Sequence, residues 1–202
     1  MNVKILDTFQ DAALVLHLQD FAKENYKAVA LYYFRSSAFK EKLTPLIVKE
    51  ICSQGLYIVS VWENGTPTNG GYFTYLKGTV DGANAYQEAE YVGQPKGTPI
   101  YFAADYDPND NDLDAIANYF LAARLQCLAH GYKVGAYGSG KLLAYLLSKH
   151  LVEYTWLAQS TGFAGYEDFK AQANIVQGPE HSAFGLDIDE DTSTGNGGGW
   201  KV

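Results

Sequence analysis

The sequence is poor in basic residues and contains no cluster of them. It has 15 Lys and Arg against 23 Asp and Glu, which gives a formal net charge of −8 over 202 residues. Nucleic-acid binding depends on basic surfaces that displace counterions, and anionic membranes attract the same residues. The composition therefore predicts a protein with no nucleic-acid partner and no membrane partner.

Metal- and cofactor-binding motifs are also missing. The sequence has two cysteines, Cys52 and Cys127, and four histidines that are scattered along the chain. It contains no C-x-x-C pair, no H-E-x-x-H segment and no His-rich tract, which are common spacings of metal ligands. We therefore expect no metal and no cofactor, and we expect both cysteines to be reduced thiols within helices.

Long apolar runs are absent as well. No apolar stretch approaches the roughly 20 residues that a membrane-spanning helix needs. The first residues, "MNVKILDTFQDAALVL", lack the basic, apolar and small-residue order of a signal peptide. The expected location is the cytoplasm, or outside the cell after lysis or non-classical export. A chain of this length is most simply one domain, and we expect a monomer.

Short apolar strands alternate with amphipathic helices along most of the chain. Eight segments have the pattern of strands and five have helical spacing. Alternating strands and helices indicate a parallel sheet, and eight strands favour closure into a barrel. We predict an α/β fold, a single irregular TIM-like β/α barrel over residues 1–193, followed by a Gly-rich tail over residues 194–202. An open sheet of four or five strands is the alternative.

One segment, "VGAYGSGKLL", fits the phosphate-binding spacing G-x-x-x-x-G-K with Gly135, Gly140 and Lys141. A P-loop also needs a Ser or Thr after the lysine to bind magnesium, and Leu142 stands there. The strand pattern also runs through Gly135 instead of ending before it. The favoured interpretation is a strand, a tight turn and a helix that begins near Ser139.

Carboxylates follow several predicted strands. In a parallel barrel the carboxyl ends of the strands meet at one mouth, where active sites form. The predicted catalytic group is Asp7, Glu63, Asp105, Asp107 and Asp187. Paired carboxylates supply the acid and the nucleophile or base of glycoside hydrolysis, and crowding of like charges raises a pKa toward neutrality. Asp107 and Asp187 also suit turns, because Asp is a common turn former.

Aromatic and amide side chains are predicted at the same mouth. Trp62, Tyr137 and Trp156 come at or near strand ends, where their rings would form walls for sugar rings. Gln159 and Gln177 also end strands. They suit either substrate contacts or buried amides whose hydrogen bonds are satisfied in the core. The first strand is expected to close against the eighth and bring Asp7 beside Asp187, with Asp189 two residues further on.

The segments "ILD", "PIYFAADYD", "VGAYGS" and "DID" stand in an order that resembles a known family. The chain, from Asp7 to about Asp189, is similar to the glycoside-hydrolase-like domain of unknown function 1906, which is related to the family 25 muramidases. The resemblance implies an irregular barrel of eight strands and five helices. It also implies a ligand class, which is peptidoglycan or another N-acetylated polysaccharide.

The resemblance assigns roles to several residues and shows two departures. Asp7, Asp105 and Asp187 match acidic positions of the muramidases by position. Asp107 stands where their D-x-E motif has Glu, so Glu63, which matches an acidic position of the glycoside-hydrolase-like family, is the candidate acid instead. Where many relatives have Arg-Tyr on the second strand, this chain has Tyr-Tyr, with Arg35 shifted along the chain.

Two functions stay open at this point. The first is a glycosidase that cleaves bonds between N-acetylated sugars of a cell wall. The second is a non-catalytic glycan-binding module on the same fold, because a common fold does not fix function. The shorter side chain of Asp107 favours the binding module, whereas Glu63 and Asp105 favour the enzyme.

Overall fold

The computed structural model describes residues 2–8, 11–33 and 43–202, which form a mixed α/β barrel. The strands are β1 (Asn2–Asp7), β2 (Tyr26–Tyr33), β3 (Tyr57–Trp62), β4 (Pro99–Ala103), β5 (Lys133–Gly138), β6 (Tyr154–Leu157), β7 (Ile175–Val176), β8 (Glu180–Ala183) and β9 (Leu186–Thr194). The helical segment α1 has three pieces, Asp11–Leu14, the 3-10 turn Val15–His17 and Leu18–Lys23. The other helices are α2 (Pro45–Ser53), α3 (Tyr75–Val92), α4 (Asp110–Ala129), α5 (Gly140–Ser148) and α6 (Tyr166–Lys170).

The sheet closes into a ring, which confirms the predicted barrel. Strands β1 to β7 are parallel neighbours in chain order, and β9 closes the ring between β7 and β1. β8 lies outside the ring as the hairpin partner of β9. Eight strands therefore form the barrel, and the open-sheet alternative is wrong.

The direction of the last strand differs from the prediction. The pattern of the last apolar segment, "AFGLDID", predicts one strand that ends at its acidic residues. Instead Phe184 and Gly185 take positive φ angles of 53° and 80° and turn the chain between β8 and β9. β9 then runs antiparallel to both β1 and β7. Its first residues, and not its last, therefore lie at the mouth of the barrel.

All five predicted helical patterns form helices, and α6 is an addition. α3 begins at Tyr75 with Thr74 as its N-cap, whereas the sequence pattern predicts a start at about Val80. The early turns contain Gly78 and Gly82, which disfavour an isolated helix. Packing explains them, because a Cβ atom on Gly82 would lie 2.8 Å from the backbone of Ala123 in α4. The glycines let the two helices approach closely. In the described part of the chain, no helix is long and apolar enough to cross a membrane.

The side chains of each strand alternate between two apolar layers. The barrel interior holds Ile5, Ala28, Ala30, Tyr32, Val59, Val61, Tyr101, Trp156 and Ile175. A larger layer lies between the strands and the helices and includes Trp62 and Phe102. Because side chains on a strand alternate with a period of two, the residue after Trp62 continues the inward series of Val59 and Val61. This parity directs Glu63 into the mouth.

The Gly-rich segment after β9 packs against the N-terminal ends of the strands. The Tyr101 hydroxyl donates a hydrogen bond to the carbonyl of Gly197 (2.8 Å), and Trp200 forms an antiparallel bridge with Ile58. The indole N–H of Trp200 donates to Ser60 Oγ (2.8 Å), and the ring is 2% exposed. These contacts close the barrel at the end opposite the mouth. The division of the chain at residue 193 stays a prediction.

Candidate active site

A cavity of about 560 Å³ opens at the C-terminal ends of the parallel strands. Its volume falls within the range of typical ligand pockets. Its lining residues are Asp7, Thr8, Tyr32, Val61, Glu63, Ala103, Asp105, Tyr137, Trp156, Ala158, Gln159, Ser160, Phe163, Gln177, Glu180, Asp187, Ile188 and Asp189. Most of the predicted site residues therefore meet at the predicted mouth.

Two predicted site residues do not line the cavity. Trp62 is 1% exposed and packs in the outer layer, because its strand position points away from the barrel interior. Asp107 lies beyond the end of β4, where its carboxylate accepts a hydrogen bond from the backbone N–H of Ala164 (3.0 Å). Pro108 follows directly and the chain turns away from the strand direction there. Asp107 thus binds the loop that contains Ala164.

Trp156 reaches the cavity but does not form the expected stacking wall. It is 1% exposed, on the inner face of β6, with its ring edge-on to Tyr137 and Tyr101 (centroids 5.6 and 5.7 Å apart). A ring packed in this way offers no open face to a sugar. Trp156 therefore belongs to the floor of the cavity.

Glu63 has the chemical properties of a proton donor. Burial, together with the negative charge of Asp105, raises the pKa of its carboxyl to about 7. An ordinary glutamic acid is ionised at neutral pH, so an acid in this state needs an environment that disfavours the charge. The Glu63 carboxyl is therefore present in both protonation states near neutral pH.

Asp7 has a different neighbour from the predicted one. The register of β1 and β9 places Asp7 opposite Asp189, and Asp187 lies beyond this pair. The Tyr32 hydroxyl donates a hydrogen bond to Asp7 Oδ2 (3.0 Å), and the Thr8 hydroxyl donates to the backbone carbonyl of Asp187 (3.1 Å). Arg35, which the family resemblance marks as shifted along the chain, lies outside the described residues.

A chain of hydrogen bonds crosses the cavity wall through Gln177. The Gln177 amide oxygen accepts from the Tyr137 hydroxyl (2.8 Å) and from the backbone N–H of Gln159 (3.1 Å), and its amide group donates to Asp189 Oδ2 (2.7 Å). The Tyr137 hydroxyl also lies 3.5 Å from Asp105 Oδ1. Burial raises the pKa of Asp189. Gln177 thus links the β4 side of the mouth to the β9 side.

Sequence reasoning did not find Asp191 or assign a role to Tyr32. Asp191 is fully buried and pairs in register with Ile5, so its side chain points into the barrel below Asp7 and Asp189. Its Oδ1 accepts the N–H of Gly178 (3.2 Å). The spacing of Asp187, Asp189 and Asp191 could have indicated that Asp191 faces the barrel interior, because residues two apart on a strand share a face.

Asp191→Asn should gain stability relative to wild type as pH rises. Burial, with the charge of Asp7 and then of Asp189, raises the pKa of Asp191 well above its usual range. The protonated Asp191 side chain therefore contributes fully to the free energy of unfolding of wild type below its unfolded pKa of about 4. This contribution is lost as pH rises toward the folded pKa, by up to about 1.4 kcal/mol per pH unit. Asn cannot ionise and avoids this loss. Urea unfolding between pH 4 and 8 measures the difference.

Glu190→Gln is the matched control for Asp191→Asn. Glu190 faces the other side of β9, and a hydrogen bond from Tyr26, with Lys4 nearby, lowers the pKa of its carboxyl. Because a lowered pKa favours the folded state at higher pH, this variant should lose stability relative to wild type as pH rises. Equal pH dependence of wild type and Asp191→Asn would show that Asp191 is not buried as described.

The segment that resembles a P-loop has no phosphate site. Ser139 is the N-cap of α5, and its Oγ accepts the N–H of Leu142 (3.4 Å). The backbone N–H of Lys141 donates to the carbonyl of Ala164 (2.8 Å), and its ammonium pairs with Asp110 (2.8 Å). A phosphate would need these donors. Among the described residues, no group of three or more His, Cys, Asp or Glu side chains is arranged to hold a metal ion.

The fold agrees with comparisons to known proteins. Residues 19–192 match the family described as the Rv2525c-like, glycoside hydrolase-like domain. The chain belongs to this family. The match confirms the resemblance on which the sequence interpretation relied. It covers all the elements that carry cavity residues except β1.

The curated relatives that the chain matches are longer than this chain. The chain is 29% identical over 162 residues to the uncharacterized protein FadG of Bacillus subtilis, which covers 73% of this chain and 27% of FadG. The chain thus spans about a quarter of the length of this relative.

Solved structures share the barrel at low sequence identity. The chain is similar to the Tat-secreted protein Rv2525c of Mycobacterium tuberculosis, solved with L-tartrate (TM-score 0.79, 16% identity, 98% of each chain). It is also similar to a family 25 glycosyl hydrolase of Bacillus anthracis (TM-score 0.60, 14% identity, 96% of this chain and 89% of that one). A third is the modular autolysin LytC of Streptococcus pneumoniae, solved with a synthetic peptidoglycan ligand (TM-score 0.63, 13% identity, 96% and 47%). At these sequence identities, the similarities establish a shared fold.

Proposed function

We propose that the chain is a glycosidase that cleaves bonds between N-acetylated sugars of peptidoglycan or a related polysaccharide. The observation that carries this proposal is the Glu63 carboxyl, which lines the cavity beside Asp105 and has a pKa of about 7. Glycoside hydrolysis needs one carboxylic acid that is still protonated at working pH and another group that is ionised. The protein is proposed to act as a monomer, without a metal or cofactor.

In this mechanism Glu63 protonates the oxygen of the leaving sugar. Asp105 lies close enough for its charge to act on Glu63, and it carries the negative charge that stabilises the oxocarbenium-like transition state or attacks the sugar. If Asp105 attacks, it forms a bond to the sugar as the leaving group departs with the proton of Glu63, and the Glu63 carboxylate then takes a proton from the water that breaks this bond. Asp7, held by the Tyr32 hydroxyl, lines the same cavity.

The polar wall of the cavity suits a saccharide. Tyr137, Gln177 and Asp189 form a hydrogen-bonded row at fixed positions, so their remaining donors and acceptors are oriented before a ligand binds. LytC, which shares the fold, has been solved with a peptidoglycan ligand. Peptidoglycan is therefore the first substrate that we propose.

A non-catalytic glycan-binding module is the second candidate, and one observation favours it. Asp107, at the position of the muramidase glutamate, is engaged with the N–H of Ala164 and does not line the cavity. If that position alone supplied the acid in this fold, the chain would bind glycan without cleaving it. The proposed enzyme avoids this requirement by using Glu63.

Incubation with purified peptidoglycan separates the two candidates. We expect new reducing ends that increase with time and enzyme concentration, and we expect the chain to sediment with the insoluble polymer. Sedimentation without new reducing ends would support the binding module. Absence of both would exclude peptidoglycan as the ligand.

A further inference from the structure

A second, shallower groove adjoins the cavity on the side of β7 and α6. Its volume is about 390 Å³, and Gln159 and Gln177 line both the groove and the cavity. Its other lining residues are Tyr166, Lys170, Val176, Gly178, Pro179 and Thr192. A continuous surface therefore runs from the carboxylates of the mouth, across the two glutamines, to α6.

Packing of the backbone forms the floor of this groove. A Cβ atom on Gly178 would collide with the carbonyl of Glu190, so glycine lets the segment after β7 lie directly against β9. The N–H of Gly178 donates to Asp191 Oδ1 (3.2 Å), and the N–H of Glu190 donates to the carbonyl of Pro179 (3.4 Å). Tyr166 is 6% exposed and closes one wall. The groove is thus a packed feature of the fold.

Charge differs sharply between the cavity and the groove. Six carboxyl side chains line the cavity, and Lys170 is the one basic side chain among the described residues that line either space. Its ammonium lies 5.4 Å from the centre of the Tyr166 ring, and it pairs with no carboxylate in the described part of the chain. A carboxylate on a ligand is therefore repelled from the cavity and attracted to the groove.

We propose that the groove binds the acidic peptide arm of a muramic acid unit while the glycan strand lies in the cavity. A lactyl-linked peptide carries carboxylates, amides and small apolar side chains. Lys170 pairs with a carboxylate, the exposed side-chain amide of Gln159 bonds to the peptide backbone, and Val176 and Pro179 contact the apolar groups. This inference rests on the proposed function, and it selects peptide-bearing peptidoglycan over bare N-acetylated glycans such as chitin.

Charge reversal at Lys170 tests the inference with two probes. The first is a tetrasaccharide of alternating N-acetylglucosamine and N-acetylmuramic acid that carries its peptides. The second is the same tetrasaccharide after removal of the peptides by an amidase, with the lactyl carboxylates that this step frees converted to neutral methylamides. We expect wild type to bind the first about five- to tenfold more tightly by calorimetry, which is the scale of one exposed ion pair with added contacts. Lys170→Glu should abolish this preference and leave affinity for the second probe unchanged.

Lys149→Glu is the matched control, because it makes the same change of charge elsewhere. Lys149 follows α5 at the opposite end of the barrel, with its ammonium 5.2 Å from the ring centre of Tyr145. The Lys149→Glu variant should keep the wild-type preference for the peptide-bearing probe. Equal wild-type affinity for the two probes, or an unchanged preference in Lys170→Glu, would overturn the groove assignment while the proposed function stands. Failure to bind either probe would instead overturn the proposed function, and the groove assignment with it.

Discussion

Glu63→Gln should lose about a hundredfold to ten-thousandfold of the turnover of peptidoglycan while the protein still folds and binds. The amide has nearly the shape of the carboxylic acid but cannot transfer its proton, and general acid–base assistance accounts for losses of this size. Burial and the charge of Asp105 raise the pKa of Glu63 to about 7, so part of the wild-type protein carries the proton that the variant cannot supply. The measurement is the initial rate of reducing-end release, with thermal unfolding and glycan sedimentation as checks on the protein.

Asp107→Asn is the control that separates Glu63 from the muramidase position. The amide oxygen of Asn can still accept the hydrogen bond from Ala164 that Asp107 accepts at 3.0 Å. Because this side chain does not line the cavity, we expect turnover close to that of wild type. A large loss in Asp107→Asn together with full activity in Glu63→Gln would reverse the assignment of the acid.

Trp200→Ala should lower the free energy of unfolding by about 3–5 kcal/mol, which is the usual cost of truncating a buried Trp. The ring is 2% exposed, and the backbone of Trp200 exchanges two hydrogen bonds of 2.9 Å with Ile58. Typical domains have only about 5–15 kcal/mol of stability, so this variant should have a clearly lower urea midpoint. The site is at the other end of the barrel, so loss of activity should follow unfolding.

Val202→Ala is the control for the same segment, because that side chain is 63% exposed. We expect a change of less than about 0.5 kcal/mol, as is usual for exposed positions. The stability of Trp200→Phe should lie between those of Trp200→Ala and Val202→Ala, because Phe keeps most of the packing but lacks the N–H that donates to Ser60. A Trp200→Ala variant as stable as Val202→Ala would show that the terminal segment does not close the barrel.

The sequence predicted the site well where strand parity continued into the mouth. Asp7, Glu63 and Asp105 follow buried strands without a turn, so the period of two that buries Val61 and Ala103 also directs these carboxylates inward. The same rule excludes Trp62, which stands one position out of phase. Counting phase along the strand, in addition to locating its end, would have removed Trp62 from the prediction.

The prediction failed where a turn lay inside an apolar segment or directly after a strand. Phe184 and Gly185 form a tight turn within "AFGLDID", and periodicity does not distinguish such a turn from a continuous strand. Asp107 stands two residues from Asp105, but the chain has already left the strand, which ends at Ala103. The groove at Lys170 depends on which loops pack together, and that depends on contacts between distant parts of the chain.

The pH dependence of turnover tests the central claim most directly. If Glu63 is the acid, its proton must be present, so the rate of reducing-end release from peptidoglycan at substrate concentrations well below KM, which reports the free enzyme, should fall as pH rises through about 7. The expected slope above that point is about tenfold per pH unit, with the protein still folded. A rate that stays constant from pH 6 to pH 9 would contradict the account, because an acid with this pKa would already have lost its proton.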